Sequence, residues 1–151
     1  MIDIHFEGRI KNRKRIVAYV DDVINDLFPR EFKKRNIEIG IKFQTMCDPV
    51  DVLGYASVVD DDSYLVEIAR KYEINGVRYE TTERDIANVI AHELVHVKQF
   101  IRKELDDGLS RWKGQDVPIG TRGAIKIPYL QQPWEQEAFR RGNEYAVMFW
   151  D

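Results

Sequence analysis

Two histidines four residues apart, His92 and His96, enclose Glu93 in the run Val89-Ile90-Ala91-His92-Glu93-Leu94-Val95-His96-Val97. On a helix, residues at i and i+4 share a face, so both imidazoles can meet one metal ion. Glu93 lies about 100° further round the helix and can reach water beside the metal without being a ligand. Neutral imidazoles suit zinc, and a catalytic zinc keeps one position open for water. The chemistry indicated is hydrolysis, with Glu93 as general base.

Two histidines do not complete a zinc site. No histidine follows His96, and His5 lies well ahead of the motif, where it reads as a surface or core-edge residue on a strand. The extended pattern HExxHxxGxxH is absent, because Gln99 and Arg102 stand at its glycine and third histidine. The remaining source is a carboxylate from Pro133-Trp134-Glu135-Gln136-Glu137-Ala138-Phe139. Glu135 and Glu137 are two residues apart and point to different faces of a helix, so one of them is the ligand.

With these two segments the chain resembles gluzincin-type zinc metallopeptidases, in which HExxH on one helix is joined by a glutamate on a later helix. The resemblance covers mainly residues 81–100 and 133–146, and it is to the minimal, stand-alone kind found among bacterial and phage metallopeptidase-like proteins. It implies His92, His96 and Glu135 as ligands of one Zn2+ per chain and Glu93 as the catalytic base. In related ExxA stretches the ligand glutamate stands three residues before the alanine, which selects Glu135 and leaves Glu137 behind it or at the surface. The chain departs from the pattern at Lys98, where an apolar residue is usual, and at Phe139, where Asp or Asn is common. The implied activity is peptide-bond hydrolysis on a peptide or protein substrate.

Such a site needs a second electrophile for the developing oxyanion, and Tyr129, Tyr145 and Arg140 are the candidates near the second motif. Arg140 and Arg141 are placed to orient Glu137. An extended substrate needs an edge strand, to be supplied by residues 53–59 or 63–69. Trp112, Trp134 and Trp150 are candidates to line a pocket, although large aromatics more often fill cores.

The elements that position these residues follow from periodicity. Ile10, Val17, Val20, Ile24, Leu27 and Phe28 predict a helix over 10–28, closed by Pro29. Ile37, Ile39, Ile41 and Phe43 alternate with polar residues and predict a strand over 37–46. Strands over 53–59 and from Ser63 follow, with Tyr64, Val66 and Ile68 on one face and Asp60-Asp61-Asp62 turning the hairpin. Thr81 or Thr82 caps a helix running to about Leu105, with Glu83 and Asp85 favouring its positive end. Ile86, Ile90, Leu94, Val97 and Ile101 form its apolar stripe, meant for the sheet. The histidines then point away from that stripe, into a cleft closed by the C-terminal part. Residues 106–133 read as a long loop, and Pro133 opens a last helix over 134–149. The expected fold is α+β and zincin-like: an N-terminal helix, a small antiparallel or mixed three-stranded sheet, the HExxH helix and a C-terminal helix supplying glutamate.

The 151 residues suit one domain, 1–151, large enough for a core without staples. The single cysteine, Cys47, precludes an internal disulfide and reads as a small buried residue. Lys and Arg number 23 against 26 Asp and Glu, for a net charge of −3, which argues against broad nucleic-acid binding. A basic cluster (Arg9, Lys11, Arg13, Lys14, Arg15) keeps a DNA-associated role as an alternative, beside a non-catalytic zincin module. No apolar run is long enough for a membrane span, and the N-terminus has no signal-peptide pattern, so the cytoplasm is the expected compartment.

Overall fold

The computed structural model describes residues 1–120 and 123–151, except the side chains of residues 32 and 33. The first element is a strand, β1 (Ile2–Glu7), followed by the helices α1 (Arg13–Leu27) and α2 (Glu31–Lys34). Three strands and a hairpin arm come next: β2 (Ile37–Gln44), β3 (Gly54–Asp60) and β4 (Ser63–Ala69), then the paired β5 (Lys71–Ile74) and β6 (Val77–Glu80). The long helix α3 (Glu83–Ile101) follows, then the two-residue strands β7 (Arg111–Trp112) and β8 (Gln115–Asp116). Helix α4 (Pro133–Tyr145) closes the chain, extended by a wider turn over Ala146–Trp150 in which Asp151 N–H bonds to the Ala146 carbonyl.

The mixed α/β class expected from the sequence is found, but the main sheet has four strands in the order β1-β2-β4-β3. The strand before α1 pairs parallel with β2, and β2 pairs parallel with β4; only the β3–β4 hairpin is antiparallel. The additional strand is short, and half of its alternation is spent on the polar residues Asp3, His5 and Glu7, which face away from the core. The predicted strand after Asp62 stops at Ala69. There the chain passes into the separate β5–β6 hairpin, turned by Asn75 and Gly76 with φ of 51° and 79°. Two consecutive positive φ values are what a tight two-residue hairpin turn requires.

Ile37, Ile39, Ile41 and Phe43 of β2 lie beside Tyr64, Val66 and Ile68 of β4, and all are buried on the helical side. The stripe of α3 packs onto that layer as expected. Helix α1 lies alongside, and Tyr19 Oη donates 2.9 Å to the Ala87 carbonyl of α3. Thr82 caps α3 by accepting from the Asp85 N–H. The helix ends at Ile101, not at Leu105. Lys103 adopts φ 55°, and Lys103 and Glu104 donate back to the Phe100 and Gln99 carbonyls. That pair of bonds is a Schellman turn, formed here without the glycine that usually announces it.

The predicted loop 106–133 holds the β7–β8 ribbon and one turn of 3-10 helix at Tyr129–Gln131; residues 121 and 122 lie outside the described residues. Its anchor is a second apolar cluster of Leu105, Val117 and Trp134. Cys47 is buried, as expected.

Helix α4 rests on the outer side of α3, and Gly142 sets how closely. A Cβ at Gly142 would stand 3.0 Å from His92 N and 3.2 Å from His92 Cα. Gly142→Val should therefore force the helices apart and cost about 1–3 kcal/mol of stability by over-packing. Urea denaturation of the two proteins checks this.

Candidate metal centre

The cap at Thr82 sets the register of α3, and the next turns place His92 and His96 one above the other. Their Nε2 atoms are 3.2 Å apart. Pro133 starts α4, so Glu135 falls in its first turn, where the contact at Gly142 holds it against α3. Glu135 Oε1 lies 3.0 Å from His92 Nε2 and 3.1 Å from His96 Nε2. These three residues, 39 or more positions apart across the two helices, are each at most 9% exposed. They form a buried His92–His96–Glu135 cluster that could hold a metal ion.

The residues fit that role. An ion bound tetrahedrally at about 2.0–2.1 Å spaces its donors roughly 3.3–3.4 Å apart, close to the 3.0–3.2 Å found here. Burial disfavours charge on Glu135, yet the hydrogen bonds to His92 and His96 pull its carboxyl down to about 2. Burial also opposes charge on His96, but Glu135 and Glu93 outweigh it and raise the imidazole to about 9. In the metal-free site that carboxylate thus favours a proton on His96, which a metal ion would displace from Nε2 on binding.

Glu93 is set apart from this triangle. It is 7% exposed and lines the cleft on both sides of the cluster. Burial raises its carboxyl above the ordinary carboxylate range, against the pull of His96 and His92. The strand β3 passes close by: a Cβ at Gly54 would meet Val89 Cγ1 at 2.7 Å and Glu93 Cγ at 3.3 Å. This glycine lets the sheet edge approach the site. Of the two hairpin strands, β3 is the outer one and β4 is internal.

The cleft divides into two lobes that share Val52, Gly54, His92, Glu93 and Tyr129. One, of about 350 Å³, is walled by Phe100, Leu105, Leu109 and Trp134. The other, of about 380 Å³, runs toward Asn88, Val89 and Phe139. Tyr129 stands where they meet. Its Oη donates to Glu135 Oε1 at 3.2 Å, and burial together with that carboxylate pushes the phenol up, so it keeps its proton.

The structure separates the remaining candidates. Tyr145 is occupied elsewhere, donating 2.6 Å to Asp26, and Arg140 pairs with Glu144 at the surface. Glu137 is not part of the cluster. It is held by Lys98 and Gln99 and not by Arg140 or Arg141; Arg141 donates to Tyr145. Of the tryptophans, Trp134 reaches the cleft, Trp112 packs on Trp134, and Trp150 packs on Tyr19. Phe139 lies with its ring 4.5 Å from that of His92. His5 sits on the exposed face of β1.

Sequence reasoning passed over Gln99, Gly54 and Gly142. A signal existed for the first: Lys98-Gln99 is a polar pair inside an otherwise apolar stretch of α3. Both side chains are nearly inaccessible, and buried polar groups are partnered.

His92→Ala, His96→Ala and Glu135→Ala should each abolish stoichiometric uptake of added zinc. Glu137→Ala should retain about one ion at saturating zinc. Metal analysis of the dialysed proteins checks both statements. No protein-family model, curated protein or solved structure matches this chain, and the assignment of these residues rests on their geometry.

Proposed function

We propose that the protein is a zinc-dependent peptidase of gluzincin type. The observation that carries this reading is the convergence of His92, His96 and Glu135 with Glu93 beside them and the edge strand β3 alongside. Zinc in that site supplies Lewis acidity toward water and toward a carbonyl oxygen. Glu93 takes the proton from the attacking water and passes it to the departing amine. Its raised carboxyl suits both halves of that transfer. Tyr129, protonated and aimed at the centre, donates a hydrogen bond to the substrate oxygen as negative charge develops there. The substrate lies extended along β3, whose free edge offers backbone hydrogen bonds. An apolar side chain enters the lobe formed by Phe100, Leu105, Leu109 and Trp134.

The alternatives find less support. A purely structural metal leaves Glu93 in the cleft without a task. For a DNA-associated role, two of the five early cations are already spent. Arg13 donates to the Gly8 carbonyl, and Arg15 stacks 3.7 Å from the Trp150 ring. Among the described residues, no helix is long and apolar enough to cross a membrane.

Glu93→Gln should keep its zinc and lose about 10²–10⁴-fold in cleavage of an unfolded protein such as casein. Tyr129→Phe should lower kcat by about 10²-fold with KM little changed. Cleavage rates and metal content measured on the same samples test both. Equal activity in Glu93→Gln, or no cleavage by zinc-loaded wild-type protein, would reject the peptidase reading.

A further inference from the structure

Gln99 is fully buried and touches three partners. Its Nε2 donates to the Trp134 carbonyl at 3.0 Å and to Glu137 Oε1 at 2.8 Å. A carbonyl and a carboxylate only accept, so reversing the amide would set its oxygen against two acceptors. Its own Oε1 is therefore the atom 2.8 Å from His96 Nδ1. Only a protonated Nδ1 completes that bond.

Glu137 is pinned in turn. Lys98 Nζ donates to its two oxygens at 2.9 and 3.0 Å. Lys98 is 2% exposed, and its second counter-ion is Glu104, 2.6 Å away in the turn that ends α3. Removing one member of a buried ion pair leaves an uncompensated charge, so the arrangement resists rearrangement. Helix α3 thus reaches α4 twice: His92 and His96 meet Glu135, and Lys98 and Gln99 meet Glu137.

We propose that Gln99 is a positioning residue that holds the proton of His96 on Nδ1 and turns the Nε2 lone pair toward His92 and Glu135. The Lys98–Glu137 pair is the lock that keeps the Gln99 amide from reversing. This deepens the metal-centre reading and rests on it. The departure at Lys98 from the usual apolar residue then has a purpose, since the lysine holds Glu137 for Gln99. His92 is served differently. Among the described residues its Nδ1 has no hydrogen-bond partner, and Phe139 packs against the ring instead.

The test compares the full chain with Gln99→Met and Glu137→Ala. Zinc affinity is measured by competition with a chromophoric chelator. The His96 Nδ1–H is followed in metal-free protein by 15N-resolved NMR, where a bonded proton exchanges slowly with water. The wild type should show that proton. Folded Gln99→Met should lose it and bind zinc about 10–100-fold more weakly. Glu137→Ala should give faster exchange and a smaller loss of affinity. Wild-type affinity and a protected proton in folded Gln99→Met would overturn the proposal. Should Gln99→Met fail to fold, the same two readings on Glu137→Ala decide in the same way. A wild-type chain that takes up no zinc would overturn the metal-centre reading itself. The Nδ1 proton would then decide the Gln99 assignment alone.

Discussion

The contact between α3 and α4 governs everything else in this molecule. Two helices far apart in sequence approach closely enough at Gly142 that their backbones nearly touch at His92. That approach carries Glu135 to the imidazoles on one side and Glu137 to Lys98 and Gln99 on the other. Neither helix makes a site alone. The sheet serves this pair by burying the apolar stripe of α3 and leaving its other faces for α4 and the cleft.

Much of this was legible in the chain because period and chemistry agree along α3. Apolar residues at helical spacing assign one face to the core, and an i, i+4 histidine pair assigns another to a ligand set. The choice of Glu135 over Glu137 followed a family resemblance, and the structure brings Glu135 to the histidines. The cap at Thr82 and the proline at the start of α4 were equally readable, since both act through local backbone chemistry.

What escaped the sequence depended on partners distant in the chain. Lys98 and Gln99 look like interruptions until Glu137 is placed opposite them. Gly142 looks like a weak point in a helix until His92 is found behind it. The strand around His5 was legible, but its place in the main sheet was not, because its partner β2 lies beyond both α1 and α2. The end of α3 was misplaced because a lysine occupies the left-handed position where glycine is the usual sign. Tyr129, by contrast, was one of three candidates that adjacency to the second motif could not rank. Only the fold shows that Tyr145 turns to Asp26 and that Arg140 faces solvent.

The hairpin pairing is broken by a bulge between Val58 and Asp60, after which three aspartates follow. An open sheet edge is normally a hazard, because any extended chain can add to it and propagate into an aggregate. Here the irregularity disrupts the ladder of backbone groups, and the negative charge beyond it repels a second copy of the same segment. The usable edge shrinks to Gly54–Val58, beside Glu93. A strand added there would span only a few residues near the buried cluster. The same bulge and charge that discourage edge-to-edge pairing would also set the length of any extended segment added beside Glu93.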